Sequence, residues 1–160
     1  MENRTDDRMD DRMVGRIENH KVDQAWMALR IVLGVVPVVA GLDKFLNLLT
    51  NWEQYLSPMA TRMLPFSPAT FMRAVGVVEI VVGLLILTRW TRIGAYVASV
   101  WLALIAVNLL TTGRFFDVAT RDASLAVAAF ALARLDEARA RIQAPERSAS
   151  LRTAEATSRA

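Results

Sequence analysis

Five polar side chains, Lys44, Arg73, Glu79, Asn108 and Asp122, stand in or beside otherwise apolar stretches. Their types bound the chemistry they can do. A carboxylate and an ammonium form an ion pair or pass a proton, an amide orients a polar group, and an arginine holds an anion. Glu79 is the sharpest case. Between Arg73 and Arg89 lie 13 apolar or small residues, one threonine and this single charge, with Gly76 and Gly83 on the same helical face. An ionisable group near a bilayer centre costs roughly 2.5 to 3.5 kcal/mol unless it is paired or wetted. Another part of the chain must therefore answer Glu79. Other chemistries are closed at the level of composition: the chain has no cysteine, so disulfides, thiolate metal sites and cysteine nucleophiles are excluded. Its one histidine, His20, lies in a charged stretch, so the chain alone cannot ligate a haem through two histidines.

The elements that position these residues follow from the distribution of apolar sequence. Hydrophobic residues make up 54% of the 160 and are gathered into four blocks between charged segments, a pattern expected of an all-α integral membrane four-helix bundle. Net charge is +3, from 17 Arg and 2 Lys dispersed among 16 acids; no continuous basic stripe points to nucleic acid. The first 24 residues, with DDRM repeated at Asp6–Met9 and Asp10–Met13, read as a disordered polar tail. They lack the short basic leader and cleavage site of a secretory signal, so the first helix is expected to be an uncleaved anchor.

That helix is expected over about 25–49. Its longest uncharged run, Ile31–Leu42, has 12 residues, about 18 Å against a hydrocarbon core of about 30 Å. A span must then take in Asp43 and Lys44. At 100° per residue Arg30, Gly34, Pro37, Gly41 and Lys44 share one face, and small residues let membrane helices approach closely. The stripe should point inward and take Lys44 with it; Asp43, about 100° away, is expected near the headgroups. Residues 50–68, with Trp52, Tyr55, Phe66 and three prolines, suit a partly helical interfacial segment that anchors and covers one end of the bundle.

The second helix is expected over 69–88, and the third over 93–112 within 21 uncharged residues from Ile93 to Gly113. The face of the third through Gly94, Ala98, Trp101 and Ile105 carries Asn108. The fourth, over 115–135, places Asp122 on a stripe with Ala126, Ala129 and Ala133. Residues 138–160 are expected to be a second disordered tail. Nine Lys or Arg near the helix ends fall on the side of both termini and four on the other, which places both termini in the cytoplasm. In that topology Lys44 leans inward and Glu79 outward, because helical side chains tilt toward the N-terminus. The two are expected to pair, with Asn108 and Asp122 as further partners and Arg73 near the outer mouth.

GLDKF at Gly41–Phe45, GVVEIVVGLLIL at Gly76–Leu87 followed by Arg89 and Arg92, and DVATRDASLAVAAFALARL at Asp117–Leu135 resemble DoxX-like membrane proteins. The likeness covers about residues 25–137 and leaves the tails outside. It implies a four-helix protein of the bacterial inner membrane, and Lys44, Glu79 and Asp122 match the family's polar positions. The family takes its name from a subunit of a thiosulfate:quinone oxidoreductase, so the resemblance also implies a link to membrane redox assemblies. With no cysteine and no usable histidine, a redox role would rest on a diffusible quinone or on a partner's cofactors, with no metal or covalent cofactor in this chain.

The expected function is thus an accessory subunit of a quinone-linked membrane complex, more a binding protein than an enzyme in its own right. Its partners would be membrane lipid and a partner subunit or further copies of the chain, not nucleic acid. A proton-coupled permease using Glu79, Lys44 and Asp122 is the first alternative, although no internal repeat is visible and only Pro37 could open a helix. An enzyme acting on lipid or quinone headgroups is the second, and no recognised nucleophile–base constellation supports it.

Overall fold

In a computed structural model of the chain the backbone is described for residues 3–63, 65 and 67–158, and side chains for 20–58, 61, 62, 65, 67–142 and 144. The elements are α1 (Asn3–Leu46), α2 (Pro58–Met63), α3 (Pro68–Leu87), α4 (Thr91–Thr111) and α5 (Phe116–Ser158), with a 3₁₀ turn at Trp52–Tyr55 between α1 and α2. No strand occurs among the described residues. Three helical stretches, His20–Leu46, Pro68–Leu87 and Thr91–Thr111, are long and apolar enough to cross a membrane. The protein is an all-α membrane protein built on four long helices.

The chain divides into two units, residues 29–134 and the pair 1–28 with 135–160. In the first, the limits of the helices are set by local chemistry. Asn47 ends α1 in the left-handed region (φ 52°), a conformation asparagine tolerates better than most residues, and donates its N–H to the Asp43 carbonyl. Ser67 caps α3, accepting from the Thr70 N–H, and Pro68 opens its first turn, where a missing N–H costs nothing. Gly113, at φ 66°, makes the turn after α4. α1 runs through Pro37 without a break.

Small residues decide how closely these helices pack. α1 and α3 are antiparallel, with Gly34 opposite Gly83 and Gly41 opposite Gly76. A Cβ on Gly41 would lie 2.5 Å from the carbonyl oxygen of Gly76, and one on Gly83 would lie 2.5 Å from that of Gly34. Backbones this close leave no room for any side chain, which is the use membrane helices make of small residues. On α4 and α5 the buried small residues are alanines, Ala95, Ala98, Ala126, Ala129 and Ala133, and Ser99 Oγ joins the two helices by donating to the Ala126 carbonyl at 2.9 Å. Val32, Val36, Val39, Val100, Leu104 and Val127, by contrast, are exposed. Outward-facing aliphatic side chains suit a lipid solvent, in which apolar surface carries no cost.

The second unit is made of the two polar terminal stretches. α1 is helical from Asn3 and α5 continues past Pro145 to Ser158; residues 1, 2, 159 and 160, within the expected tails, lie outside the described residues. Two physical reasons are visible. Leu135–Ala144 is rich in alanine, arginine and glutamate, all good helix formers. The two segments also hold each other: Trp26 Nε1 donates to Asp136 at 2.8 Å, Arg139 Nε donates to Asp23 at 2.6 Å, and the Arg139 guanidinium stacks 3.9 Å from the Trp26 ring. Phe66, expected at the interface, also lies outside the described residues.

Candidate functional site

The seam between α1 and α3 brings Lys44 and Glu79 together. Each lies three residues beyond its glycine, Lys44 past Gly41 and Glu79 past Gly76, and because the helices are antiparallel these steps carry the two Cα atoms about 9 Å apart along the axis. Both side chains tilt back toward their own N-termini, and that tilt closes the gap. Lys44 Nζ donates to Glu79 Oε2 at 2.6 Å, and both residues are more than 90% buried. Isolated, either charge would be costly in hydrocarbon; paired, they form a neutral unit.

Residues 47–55 cover the pair. The Asp43 carboxylate accepts the backbone N–H groups of Leu48 and Leu49 at 3.0 to 3.2 Å and the indole N–H of Trp52 at 2.8 Å. Trp52, fixed by that bond, lays its ring 3.6 Å from Lys44 Nζ. The ammonium therefore has a carboxylate on one side and an aromatic face on another. Asp43 is buried, because the turn after α1 folds back over it.

Asn108 and Asp122 do not join the pair directly. Asn108 Nδ2 donates to the Tyr55 carbonyl at 3.0 Å, which ties the end of the 3₁₀ turn to α4. Asp122, also buried, accepts from Nε of its neighbour Arg121 at 3.0 Å. Both nonetheless line the same space as Lys44 and Glu79, a cavity of about 800 Å³ whose walls are mostly apolar. Arg73 is exposed and is not among its lining residues. It sits 120° around α3 from Glu79, so the helix that buries Glu79 turns Arg73 away.

The cavity is bounded by α1, α3, α4, α5 and the Trp52–Tyr55 turn. Val32, Val35, Val36 and Val39 form one wall on α1, and Trp101 lines it from α4. The Trp101 indole N–H is buried and has no hydrogen-bond partner among the described residues. Such an arrangement can hold a molecule with a small polar end and an apolar body, and can present to it two internally neutralised charge pairs.

Sequence reasoning undervalued several residues. Arg30 is not simply a charge within a helix: its guanidinium donates to the carbonyls of Ile86, Leu87 and Thr88 at 2.5 to 3.0 Å and so completes the C-terminal end of α3. Its position on the glycine stripe was the available signal. Trp52 was read as an interfacial ring, and Arg121 only as a charge near a helix end.

The family model described as DoxX matches residues 25–113. No curated protein and no solved structure gives a match.

Proposed function

The chain belongs to the DoxX family, and from that premise we propose that it is an accessory subunit of a quinone-linked redox assembly in the bacterial inner membrane, non-catalytic on its own, with both termini in the cytoplasm. In this reading α5 is the fourth span, and the bundle supplies a buried polar site for quinone while the partner subunit supplies any tightly held redox cofactor. Homo-oligomerisation is compatible with the same role.

The observation that carries the reading is the Lys44–Glu79 pair set into the wall of a mostly apolar cavity. A pair of this kind is a weak device for stability, since burying two charges cancels much of their attraction. Beside a cavity of ligand size it provides hydrogen-bonding groups at one end of a greasy pocket, as small-molecule sites generally do. Composition fits the accessory role, because the chain has no cysteine with which to perform sulfur chemistry or ligate a cluster. The permease alternative asked Pro37 to open α1, and the helix is unbroken there.

Native mass spectrometry of the protein after gentle extraction tests this. A partner subunit or a retained quinone is the expected result. Recovery of the bare chain, alone or as copies of itself, with neither of these would remove the proposal.

A further inference from the structure

We infer that the cavity admits its ligand sideways from the hydrocarbon core and selects for an uncharged amphiphile, a molecule with a neutral hydrogen-bond-accepting head and an apolar tail. This rests on the proposed quinone-binding role of the same site and narrows it, naming the route, the charge and a recognition residue.

The route follows from the valines of α1. Val32, Val35, Val36 and Val39 line the cavity, yet each is between 43% and 51% exposed. Leu104 of α4 likewise lines it and is 58% exposed. Side chains that face both the cavity and the outside mark its rim. All four valines fall within Ile31–Leu42, the longest uncharged run of α1, so this rim opens on lipid tails and not on headgroups. The polar end is covered by the 3₁₀ turn, held to α4 through Asn108 and to α1 through Asp43 and Trp52.

The charge preference follows from the pairing. Lys44 is matched by Glu79 and Asp122 by Arg121, so the two pairs leave no net charge for a ligand to neutralise. An anion would have to draw Lys44 from Glu79, and a cation would have to draw Glu79 from Lys44, each stranding a buried charge. A neutral acceptor meets no such cost. A donor in the cavity wall that has no partner among the described residues is the Trp101 N–H. A small reorientation of the ring toward a ligand carbonyl would satisfy it, and buried donors are rarely left unmet.

A set of probes with matched tails separates the possibilities in nanodiscs holding the full chain: decyl-benzoquinone, a long-chain methyl ketone, decanoate and decyltrimethylammonium. The neutral probes are expected to bind at least roughly tenfold more tightly than either ion, given the cost of stranding a buried charge. Val36→Trp, which enlarges a residue shared by the cavity wall and its lipid-facing rim, should abolish binding of both neutral probes. Trp101→Phe should weaken them roughly three- to tenfold, the range for one neutral hydrogen bond. Decanoate or the ammonium binding as tightly as the neutral probes overturns the charge selection. Undiminished binding to the Val36→Trp protein overturns the route, and equal affinity for the Trp101→Phe protein overturns the assignment to that donor. If the ketone binds and the benzoquinone does not, the quinone reading fails while this inference stands; if the benzoquinone binds and decanoate or the ammonium binds as tightly, the charge selection fails while the quinone reading stands.

Discussion

α1 presents two cations to α3 from one face, Arg30 and Lys44, and α3 receives them in opposite ways. Arg30 meets the helix end, where its guanidinium takes up the carbonyls of Ile86, Leu87 and Thr88. Lys44 meets a side chain, Glu79, in the wall of a cavity and under the ring of Trp52. The difference is between an obligatory partner and an optional one. The last carbonyls of any helix need donors, and in a membrane water does not supply them. Neither charge need have been there: apolar residues at both positions would have left nothing to neutralise. The Arg30 end is thus accounted for by the fold alone, whereas the Lys44 end carries a charge pair that the fold does not require.

Mutational energetics can break this contrast. Removing one member of the buried pair, by Lys44→Met or Glu79→Leu, should cost about 3 to 5 kcal/mol, since the survivor becomes an uncompensated charge. Removing both should restore most of that loss. Reversible unfolding in mixed micelles, run as a double-mutant cycle, measures it. A double variant as unstable as the singles would show that the pair serves the fold after all, and the contrast with Arg30 would collapse.

At the other end no partner mutation can compensate, because the acceptors are backbone. Arg30→Lys keeps the charge but loses the planar fork that reaches three carbonyls, and should cost about 1.5 to 3 kcal/mol, the range for hydrogen bonds to a charged group. The loss should appear in the same unfolding assay while ligand binding is retained by the folded fraction. Equal loss of binding and stability would mean that the two ends are not separable.

Between the cations lies the glycine seam, and it tests whether Lys44 reaches Glu79 by virtue of close backbones. Gly41→Ala places a methyl 2.5 Å from the Gly76 carbonyl oxygen, too close for either backbone to stay where it is. The expected cost is about 1 to 3 kcal/mol for overpacking. A cysteine pair engineered across the seam should also cross-link more slowly in this background. Unchanged cross-linking would show that the helices are not held at the glycines.

Much of this was legible in the sequence, for reasons particular to membranes. An uncharged run of 21 residues marks α4, and Ala74–Thr88, broken only by Glu79, marks α3; a charge set in so apolar a stretch calls for a partner, so Glu79 and Lys44 could be matched from helical angle and tilt alone. Gly34, Gly41, Gly76 and Gly83 signalled the seam. What could not be read were contacts made by residues outside regular helix. Nothing periodic connects Trp52 to Lys44 or Tyr55 to Asn108, since the turn after α1 is set by Asn47 and Asp43, not by any repeat. Asp122 was placed on the correct face and given the wrong partner: Arg121, read as a charge near the helix end, reaches back to its neighbour. Nor does mixed-charge composition give any periodic sign of the contacts that Trp26, Asp136 and Arg139 make.

The smallest expected effect is also the most specific to the cavity end. Asp43 touches neither Lys44 nor Glu79 by any bond described here, but its Oδ2 holds the Trp52 indole that lies over the ammonium. A carboxylate on the indole N–H fixes the ring's position and strengthens its negative face, so Asp43 should act on Lys44 through Trp52. Asp43→Asn retains an acceptor and should cost about 1 kcal/mol, chiefly through weaker bonds from Leu48, Leu49 and Trp52. If the ring is the link, part of this cost disappears when Trp52 is already phenylalanine, which has no N–H to hold. A coupling of about 0.5 kcal/mol or more between the two substitutions is then expected in the cycle. The same cycle built on Asp43 and Arg30 should give additivity, because thirteen residues of helix, about 20 Å, separate them. Coupling in the second cycle, or none in the first, would erase the distinction between an end of α1 that completes a helix and an end that furnishes a cavity.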